Sequence, residues 1–247
     1  MPSAFPETEF RAFGIAAGAF FPDLMSDENL YDPLEKRRHF EWSWQAVRYR
    51  YRICAECNDE FKSLLANASE AWRSGWGDEE MNYKLERCIY VFFMSGLSVL
   101  ESFCFCLYFL GSAMRPTDFP HFNKPRKISL NSTSEAFSAA FPQEAITGEL
   151  EALSQKPEFI AIDGLRNVLA HRVSGRRSIR AWGTVERDGT HTHTQEETWH
   201  VPGSAEKLVF DETMIERHLS DITTLLTTLA SASRAFAENN QHTKVQP

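Results

Sequence analysis

Residues 88–114 read CIYVFFMSGLSVLESFCFCLYFLGSAM, and Glu101 is the only charged residue in this run. A helix of this length and apolarity is long enough to span a bilayer. However, Glu101 near its middle would cost about 2.5–3.5 kcal/mol on membrane insertion, and Ser95, Ser98 and Ser102 add polar positions. We therefore predict a buried central helix rather than a membrane span. Burial of an unpaired carboxylate is costly, so Glu101 is expected to have a partner.

Two long helices are predicted around a short glycine-containing turn. Apolar residues recur at steps of three, four and seven over residues 34–73, which predicts one continuous helix. The apolar run belongs to a second helix over about residues 79–113, and the acidic residues at its start suit a helix N-terminus. Gly75 and Gly77 lie between the two helices. A connection this short predicts that the helices are antiparallel.

The rest of the chain is also predicted to be mainly helical. Residues 115–142 are rich in Pro, Asn and Ser and are interpreted as a long connection. Helical patterns follow over residues 143–155, 157–173 and 211–238, the last with Asp211 as its N-cap. Before the last helix, polar and apolar residues alternate over residues 178–201 on both sides of an Asp-Gly pair. That pattern predicts a β-hairpin.

The fold class is therefore predicted to be all-α, an antiparallel helical bundle with two long helices and one inserted β-hairpin. The length of 247 residues suits one large domain. The predicted boundaries are an N-terminal extension at residues 1–33, a helical domain at residues 34–238 with the hairpin at 178–201, and a flexible tail at 239–247.

The segment over residues 157–172, PEFIAIDGLRNVLAHR, carries the side chains with the clearest chemistry. On a helix, one side of this segment is apolar, and the other presents Asp163, Arg166, Asn167 and His171. Asn167 and His171 are neighbours one turn apart. A guanidinium can hold a phosphate with two hydrogen bonds, and an imidazole titrates near neutral pH. This combination favours phosphoryl-transfer chemistry.

The spacing between Arg166 and His171 is not distinctive by itself. The pairs Arg115/His121 and Arg187/His193 have a similar spacing. The first pair is interrupted by two prolines and the second by the predicted hairpin turn, so neither has a helical context. The amphipathic helix around residues 157–172 is what distinguishes the third pair.

The segment Arg166-Asn167-Val168-Leu169-Ala170-His171 resembles the hallmark of the HEPN superfamily, the higher eukaryote and prokaryote nucleotide-binding domains. That hallmark is an Arg, four to six residues and a His, often with a polar residue directly after the Arg. The resemblance implies a bundle of about four or five helices and a homodimer in which two protomers turn their motifs toward each other. Many members are metal-independent endoribonucleases, often toxins or defence effectors, and others are inactive binding modules. The resemblance covers residues 34–238 in outline, but only residues 157–172 carry a motif.

The resemblance also implies roles for individual residues. His171 would act as general acid and base while a ribose 2′-hydroxyl attacks its adjacent phosphate, which yields a 2′,3′-cyclic phosphate and a free 5′-hydroxyl. Arg166 would steady the phosphate, and Asn167 would orient His171 or the substrate. Glu101 could position Arg166, or it could be a core carboxylate bonded to serine hydroxyls. Asp163, on the same face as Arg166, is a second supporting residue.

Charge is unevenly distributed along the chain. The net charge of the whole chain is −8, which as an average argues against a nucleic-acid partner. Yet residues 164–180 contain five Arg and no acidic residue, and residues 36–52 contain six basic residues and one Glu. Each window therefore carries +5, and an anionic ligand is expected at one of them.

The two basic windows differ in how they present their cations. In the first window, Arg172, Arg176 and Arg177 follow the motif helix and are the predicted substrate-binding residues. In the second, Arg48-Tyr49-Arg50-Tyr51-Arg52 interleaves cations with rings, a composition that can contact phosphates and stack on bases. On a helix these five residues spread over most faces. An ordinary solvated surface is therefore the preferred interpretation of the second window.

No cofactor is expected, and the candidates for metal or thiol chemistry are weak. Three histidines fall on the predicted hairpin: His191, His193 and His200. Only Glu196 or Glu197 has a spacing that would complete a metal site with them, so no metal is expected. The Cys54-x-x-Cys57 pair has no second pair, and the odd number of five cysteines indicates a reduced protein.

The leading hypothesis is a dimeric, HEPN-like, metal-independent endoribonuclease that cleaves RNA, a toxin or a stress or phage-defence effector with an antitoxin or a nucleotidyltransferase as candidate partner. The alternative is a non-catalytic module of the same fold that binds RNA or nucleotide, or acts as a scaffold. Glu7 and Glu9 precede the first apolar stretch, where a signal peptide would have a basic flank. A cytoplasmic location without membrane contact is therefore expected, and a membrane-associated protein built on residues 88–114 is the disfavoured third hypothesis.

Overall fold

The computed structural model describes residues 4–21, 31–73, 79–171, 176–185, 187–189, 191–200 and 207–241. Its α-helices in this part of the chain are α1 (Glu7–Gly18), α2 (Tyr31–Arg73), α3 (Glu79–Met114), α4 (Leu130–Ala140), α5 (Ala145–Leu153), α6 (Pro157–His171) and α7 (Glu212–Gln241). Two short 3-10 helices, Pro116–Asp118 and Pro125–Lys127, follow α3. The prediction that the chain is mainly helical is confirmed.

The two longest helices, α2 and α3, pack against each other in opposite directions. Near the start of α2, the Lys36 ammonium donates a hydrogen bond to the Ser112 carbonyl near the end of α3, at 3.0 Å. Further along α2, the Cys54 thiol lies 3.6 Å from the Phe92 carbonyl of α3. Residue numbers in α3 thus fall as those in α2 rise, which is the antiparallel arrangement that the sequence predicts.

Helix α3 supplies the centre of the hydrophobic core. It is long and apolar enough to cross a membrane by length and composition, but 61% of its most apolar window is buried inside the protein. The interpretation of Glu101 as a buried carboxylate is wrong, because this residue is exposed. Ser102, the next residue, is buried and satisfies its hydroxyl within the helix by donating to the Ser98 carbonyl at 2.7 Å. Glu101 therefore needs no buried partner.

Helix α1 belongs to the same core, although the sequence predicted only an extension there. The Phe10 ring stacks on Trp44 of α2 with 3.4 Å between the ring centroids. Phe13 is also fully buried. At the other end of the chain, the Gln241 amide donates to the Ala16 carbonyl at 2.9 Å. Helix α7 therefore continues past residue 239, where a flexible tail was predicted, and packs against α1.

The interpretation of residues 115–142 as a connection is wrong for its second half, which forms α4. Ser129 caps this helix: the Ser132 amide donates to the Ser129 hydroxyl at 3.2 Å, and the Ser129 amide donates to the Ser132 hydroxyl at 2.8 Å. Phe137 is buried on the inner face of α4. The composition suggested a loop because serines were counted as loop formers, whereas here they form a capping box.

A three-stranded antiparallel sheet follows α6 and precedes α7 in the chain. Strand β1 (Arg176–Val185) pairs with β2 (His191–His200), and β2 pairs with β3 (Lys207–Phe210). Between β1 and β2, Gly189 has a φ of +83°, a backbone conformation that glycine adopts readily. Strands β1 and β2 occupy the region predicted as a hairpin. Strand β3 was not predicted, because its four residues are too few to show an alternating pattern.

Helix α7 begins where the sequence predicts and crosses the long helices. The Met214 amide donates to the Asp211 carboxylate at 2.7 Å, so Asp211 is the N-cap. Further along, the hydroxyl groups of Thr223 and Tyr51 are 2.7 Å apart, which joins α7 to the middle of α2. The apolar face of α7 is thereby held against the core.

His218 on α7 is buried among apolar and acidic neighbours. Its ring is 3% exposed and meets the edge of the Phe93 ring at 5.3 Å between centroids. Its Nδ1 lies 3.4 Å from the Asp221 carboxylate. This nitrogen has no hydrogen-bond partner within the described part of the chain. Burial, together with the neighbouring Arg217, lowers the pKa of His218 to about 4. The imidazole is therefore neutral at physiological pH.

Substitution of Gly111 by Ala is expected to lower the free energy of unfolding by about 1–2 kcal/mol. A Cβ at this position would stand 2.5 Å from Cε1 of Phe119, which is itself 1% exposed and wedged against Tyr108 and Phe137. Urea denaturation of the two proteins measures the loss. Gly148→Ala is the matched control: this helical glycine has open space around it, so the same change should stabilise by about 0.5–1 kcal/mol. An equal effect of the two substitutions would contradict the steric explanation.

Candidate functional site

Helix α6 forms over almost the range that the sequence predicts, and its two faces differ. Pro157 begins the helix, where a missing amide hydrogen is tolerated. Ile162 and Leu165 are buried in the core, and α6 packs against α3 and α7. The apolar stripe therefore fixes the orientation of the helix and leaves its polar residues on the other side.

The polar side of α6 brings two of the predicted catalytic residues into contact. The Arg166 guanidinium donates a hydrogen bond to the Asn167 side-chain carbonyl at 3.0 Å, and both residues are half-buried. Asp163, also half-buried, lies nearly one turn earlier. His171 is the last residue of α6 and follows Asn167 by one helical turn, although its side chain lies outside the described residues.

The predicted substrate-binding cations lie directly after α6. Arg172 falls outside the described residues. Arg176 and Arg177 are the first residues of β1, where their backbones pair with His200 and Trp199 of β2. Their side chains are outside the described part of the structure. The basic window thus includes the last residues of α6 and the first residues of β1.

Glu101 does not lie with the motif residues. No hydrogen bond or ion pair joins it to Arg166 among the described residues, and Arg166 bonds to Asn167 instead. Glu101 lines a cavity together with Arg50 of α2. The expectation that Glu101 positions Arg166 is therefore not supported by any contact, and its alternative, a core carboxylate bonded to serines, is excluded by its exposure.

The residues of the second basic window make different kinds of contact. Tyr51 is buried, and Arg52 forms an ion pair with Glu56 at 2.7 Å. Arg48 pairs with Glu7 of α1 at 2.5 Å. The side chains of this stretch therefore have different structural neighbours, and Tyr51 is not part of a solvated surface. Arg50 is half-buried, and its side chain lines the cavity.

The sequence did not reveal this cavity, which we call the α2–α3 cavity. Its volume is about 470 Å³, and its main polar and aromatic lining residues are His39, Trp42, Arg50, Glu101, Ser102 and Phe105. The α2 members recur at helical spacing, a signal that is visible in the sequence. The third wall comes from residues 128–130, which no local pattern could have brought to the same place.

The five cysteines lie within the described residues, whereas the side chains of His191, His193 and His200, the histidines considered for a metal, lie outside them. All five cysteines are free and buried. Burial raises the pKa of Cys57 to about 11 and that of Cys88 to about 12, so both thiols are protonated and unreactive at neutral pH. No group of three or more His, Cys, Asp or Glu side chains within the described ranges could hold a metal ion.

Comparisons with models of protein families, with curated proteins and with solved structures find no match to this chain. The chemistry of the site must therefore be judged from its own residues.

Proposed function

We propose that this chain is a HEPN-like endoribonuclease, a helical bundle with an inserted sheet that cleaves RNA without a metal ion. The observation that carries the proposal is the geometry of α6. The helix presents the Arg166–Asn167 hydrogen bond on its polar side and ends at His171 one turn later. A cation and an imidazole at the end of one rigid helix are the groups that a phosphate ester needs for transesterification.

In the proposed reaction the residues of α6 have separate tasks. His171 accepts the proton of a ribose 2′-hydroxyl, and the 2′-oxygen attacks the adjacent phosphorus. The bond from phosphorus to the 5′-oxygen breaks, the protonated His171 gives its proton to that oxygen, and a 2′,3′-cyclic phosphate and a 5′-hydroxyl remain. Arg166 stabilises the charge on the phosphate oxygens. Asn167 holds the guanidinium through the 3.0 Å hydrogen bond, so it is a positioning residue for Arg166.

The charge distribution supports RNA as the anionic partner. Residues 164–180 carry +5 in a chain whose net charge is −8, so the rest of the molecule repels a polyanion and this window attracts it. Two copies of the chain with facing α6 helices would double the local positive charge. A homodimer in the cytoplasm, acting as a toxin or defence effector under the control of an antitoxin or nucleotidyltransferase partner, is part of the same proposal.

A non-catalytic RNA- or nucleotide-binding module is the second candidate. It is favoured by the position of Arg176 and Arg177 at the start of β1, five and six residues after His171 in the chain, because cations there can bind phosphates without any contribution from His171. In that case, binding would survive His171→Ala and would weaken in Arg172→Ala and Arg176→Ala variants.

Incubation of labelled RNA with the purified chain in EDTA tests the proposal. We expect cleavage products that end in a 2′,3′-cyclic phosphate, because the nucleophile is the neighbouring 2′-hydroxyl. DNA of the same sequence is the control and should remain intact, since it has no such hydroxyl. Absence of RNA cleavage at stoichiometric protein, equal cleavage of DNA, or complete inhibition by EDTA would each contradict the proposal.

A further inference from the structure

The α2–α3 cavity has the size and construction of a small-molecule site. Its volume of about 470 Å³ falls in the range of about 300–1,000 Å³ that is typical of such sites. His39, Trp42, Ala46 and Arg50 recur on one face of α2 and form one wall. None of the α6 side chains that the structure describes lines the cavity, so a ligand bound here would not contact Arg166 or Asn167.

Two opposite charges line this cavity without neutralising each other. The Arg50 guanidinium donates hydrogen bonds to the Ser102 hydroxyl and, at 3.4 Å, to the Ser98 carbonyl, and these neutral oxygens hold the side chain in place. Glu101 is exposed and forms no hydrogen bond or ion pair with any other described residue. A ligand that carries both a negative and a positive group would match the two charges.

Aromatic side chains also line the cavity. The His39 ring stacks on Phe109 with 4.6 Å between centroids, and it meets Trp42 and Phe105 edge-on at 5.8 and 6.1 Å. Trp42 is 60% exposed although it belongs to this cluster. Much of the indole is therefore accessible to a ligand ring, and contact between two rings adds to the favourable burial of apolar surface.

We propose that the α2–α3 cavity binds a small zwitterion with a flat hydrophobic ring, the chemistry of a free aromatic amino acid. The ligand carboxylate accepts hydrogen bonds from Arg50, its ammonium donates to Glu101, and its ring lies against Trp42. A nucleotide could use the ring and Arg50 in the same way, but its phosphate would be repelled by Glu101. Because Arg50 and Glu101 together have no net charge, the cavity favours a ligand whose own charges cancel.

Calorimetric titration of the full chain with three compounds tests this assignment: L-phenylalanine, phenylacetate, which lacks the ammonium, and phenethylamine, which lacks the carboxylate. L-phenylalanine is expected to bind, and each of the other two about tenfold more weakly, because a charge-assisted hydrogen bond is lost. Glu101→Gln should weaken L-phenylalanine about tenfold, because the ammonium loses its partner, and should not weaken phenylacetate, because the anion loses only a repulsive neighbour. Glu135→Gln, an exposed change on α4 away from the cavity lining, is the matched control and should have no effect.

Substitutions of two further lining residues complete the experiment. Arg50→Gln should weaken both phenylalanine and phenylacetate, and circular dichroism verifies that it folds. Trp42→Ala, at an exposed position, should weaken all three compounds without affecting the fold. The proposal is overturned if none of the three compounds binds at millimolar concentration, or if phenylacetate binds as tightly as phenylalanine. It is equally overturned if adenosine monophosphate binds and its affinity rises in Glu101→Gln, since that would identify an anionic nucleotide site.

Discussion

RNA cleavage by the His171→Ala variant is expected to be about 10²–10⁴-fold slower than cleavage by the wild-type chain, because general acid and base catalysis contributes a factor of this size. His171 is the only histidine in the sequence of α6, and the imidazole is the side chain whose ordinary pKa suits proton transfer at neutral pH. RNA affinity should change little, because Arg166 and the cations of β1 remain. Initial rates on labelled RNA in EDTA measure the first effect, and filter binding measures the second.

The chain contains its own control for this substitution. His121 follows Arg115 at nearly the same spacing as the motif pair, but it lies after α3 in a segment of 3-10 turns rather than on a helix. Its backbone amide donates to the Tyr108 hydroxyl at 2.7 Å, a contact that an alanine would preserve. His121→Ala should therefore cleave RNA at the wild-type rate. Equal rates for His171→Ala and wild type, or an equal loss in His121→Ala, would refute the role given to α6.

The free energy of unfolding is expected to fall by up to about 3 kcal/mol between pH 7 and pH 4 because of His218 alone. Burial lowers the pKa of this imidazole to about 4, against about 6.5 in an unfolded chain. Above pH 6.5 both states are neutral at His218 and its full stabilisation is present. As the pH falls from 6.5 to 4, the unfolded state takes up a proton that the folded state does not, so stability is lost. Urea denaturation across this interval measures the slope.

The neighbours of His218 act in both directions. Asp221 has a raised pKa, chiefly through burial and then through Glu158, while Arg217 lowers it. The folded state therefore protonates Asp221 earlier than the unfolded state, which offsets part of the loss at His218. His218→Phe removes the titrating group and keeps an aromatic ring beside Phe93, so its stability should depend less on pH than that of the wild type. An unchanged pH dependence in this variant, with His121→Phe as the control, would show that His218 is not responsible.

The long helices could be predicted because their physical cause is local. Apolar residues at helical spacing over residues 34–73 and 79–113 define faces that must be buried, and the glycines between them leave little choice of direction. Helix α4 and strand β3 were missed because their determinants are short or positional. The capping box at the start of α4 needs hydrogen bonds in both directions between Ser129 and Ser132. Strand β3 is a strand only because its backbone pairs with β2.

The candidate sites divide in the same way. The polar side of α6 follows from helical geometry alone, so the contact between Arg166 and Asn167 was within reach of the sequence. The location of Glu101 relative to α6 could not be predicted from the sequence, because it depends on how α3 and α6 pack against each other. The α2–α3 cavity depends in addition on residues 128–130, which are remote in sequence from both of its helical walls.

Helix α2 extends over 43 residues, about 65 Å at 1.5 Å per residue, and most of the stability of a helix in a protein comes from the packing of its apolar face. Its successive stretches are covered by different partners: α1 at Phe40 and Trp44, and α7 at Tyr51 and Lys62. Each of these two helices therefore stabilises one stretch of α2, and the other helix can pack in its place only if that stretch is folded. Unfolding of either α1 or α7 would therefore expose part of α2 and destabilise the contacts that α2 makes with the other helix. We expect the two ends of the chain to unfold in one cooperative transition rather than in two.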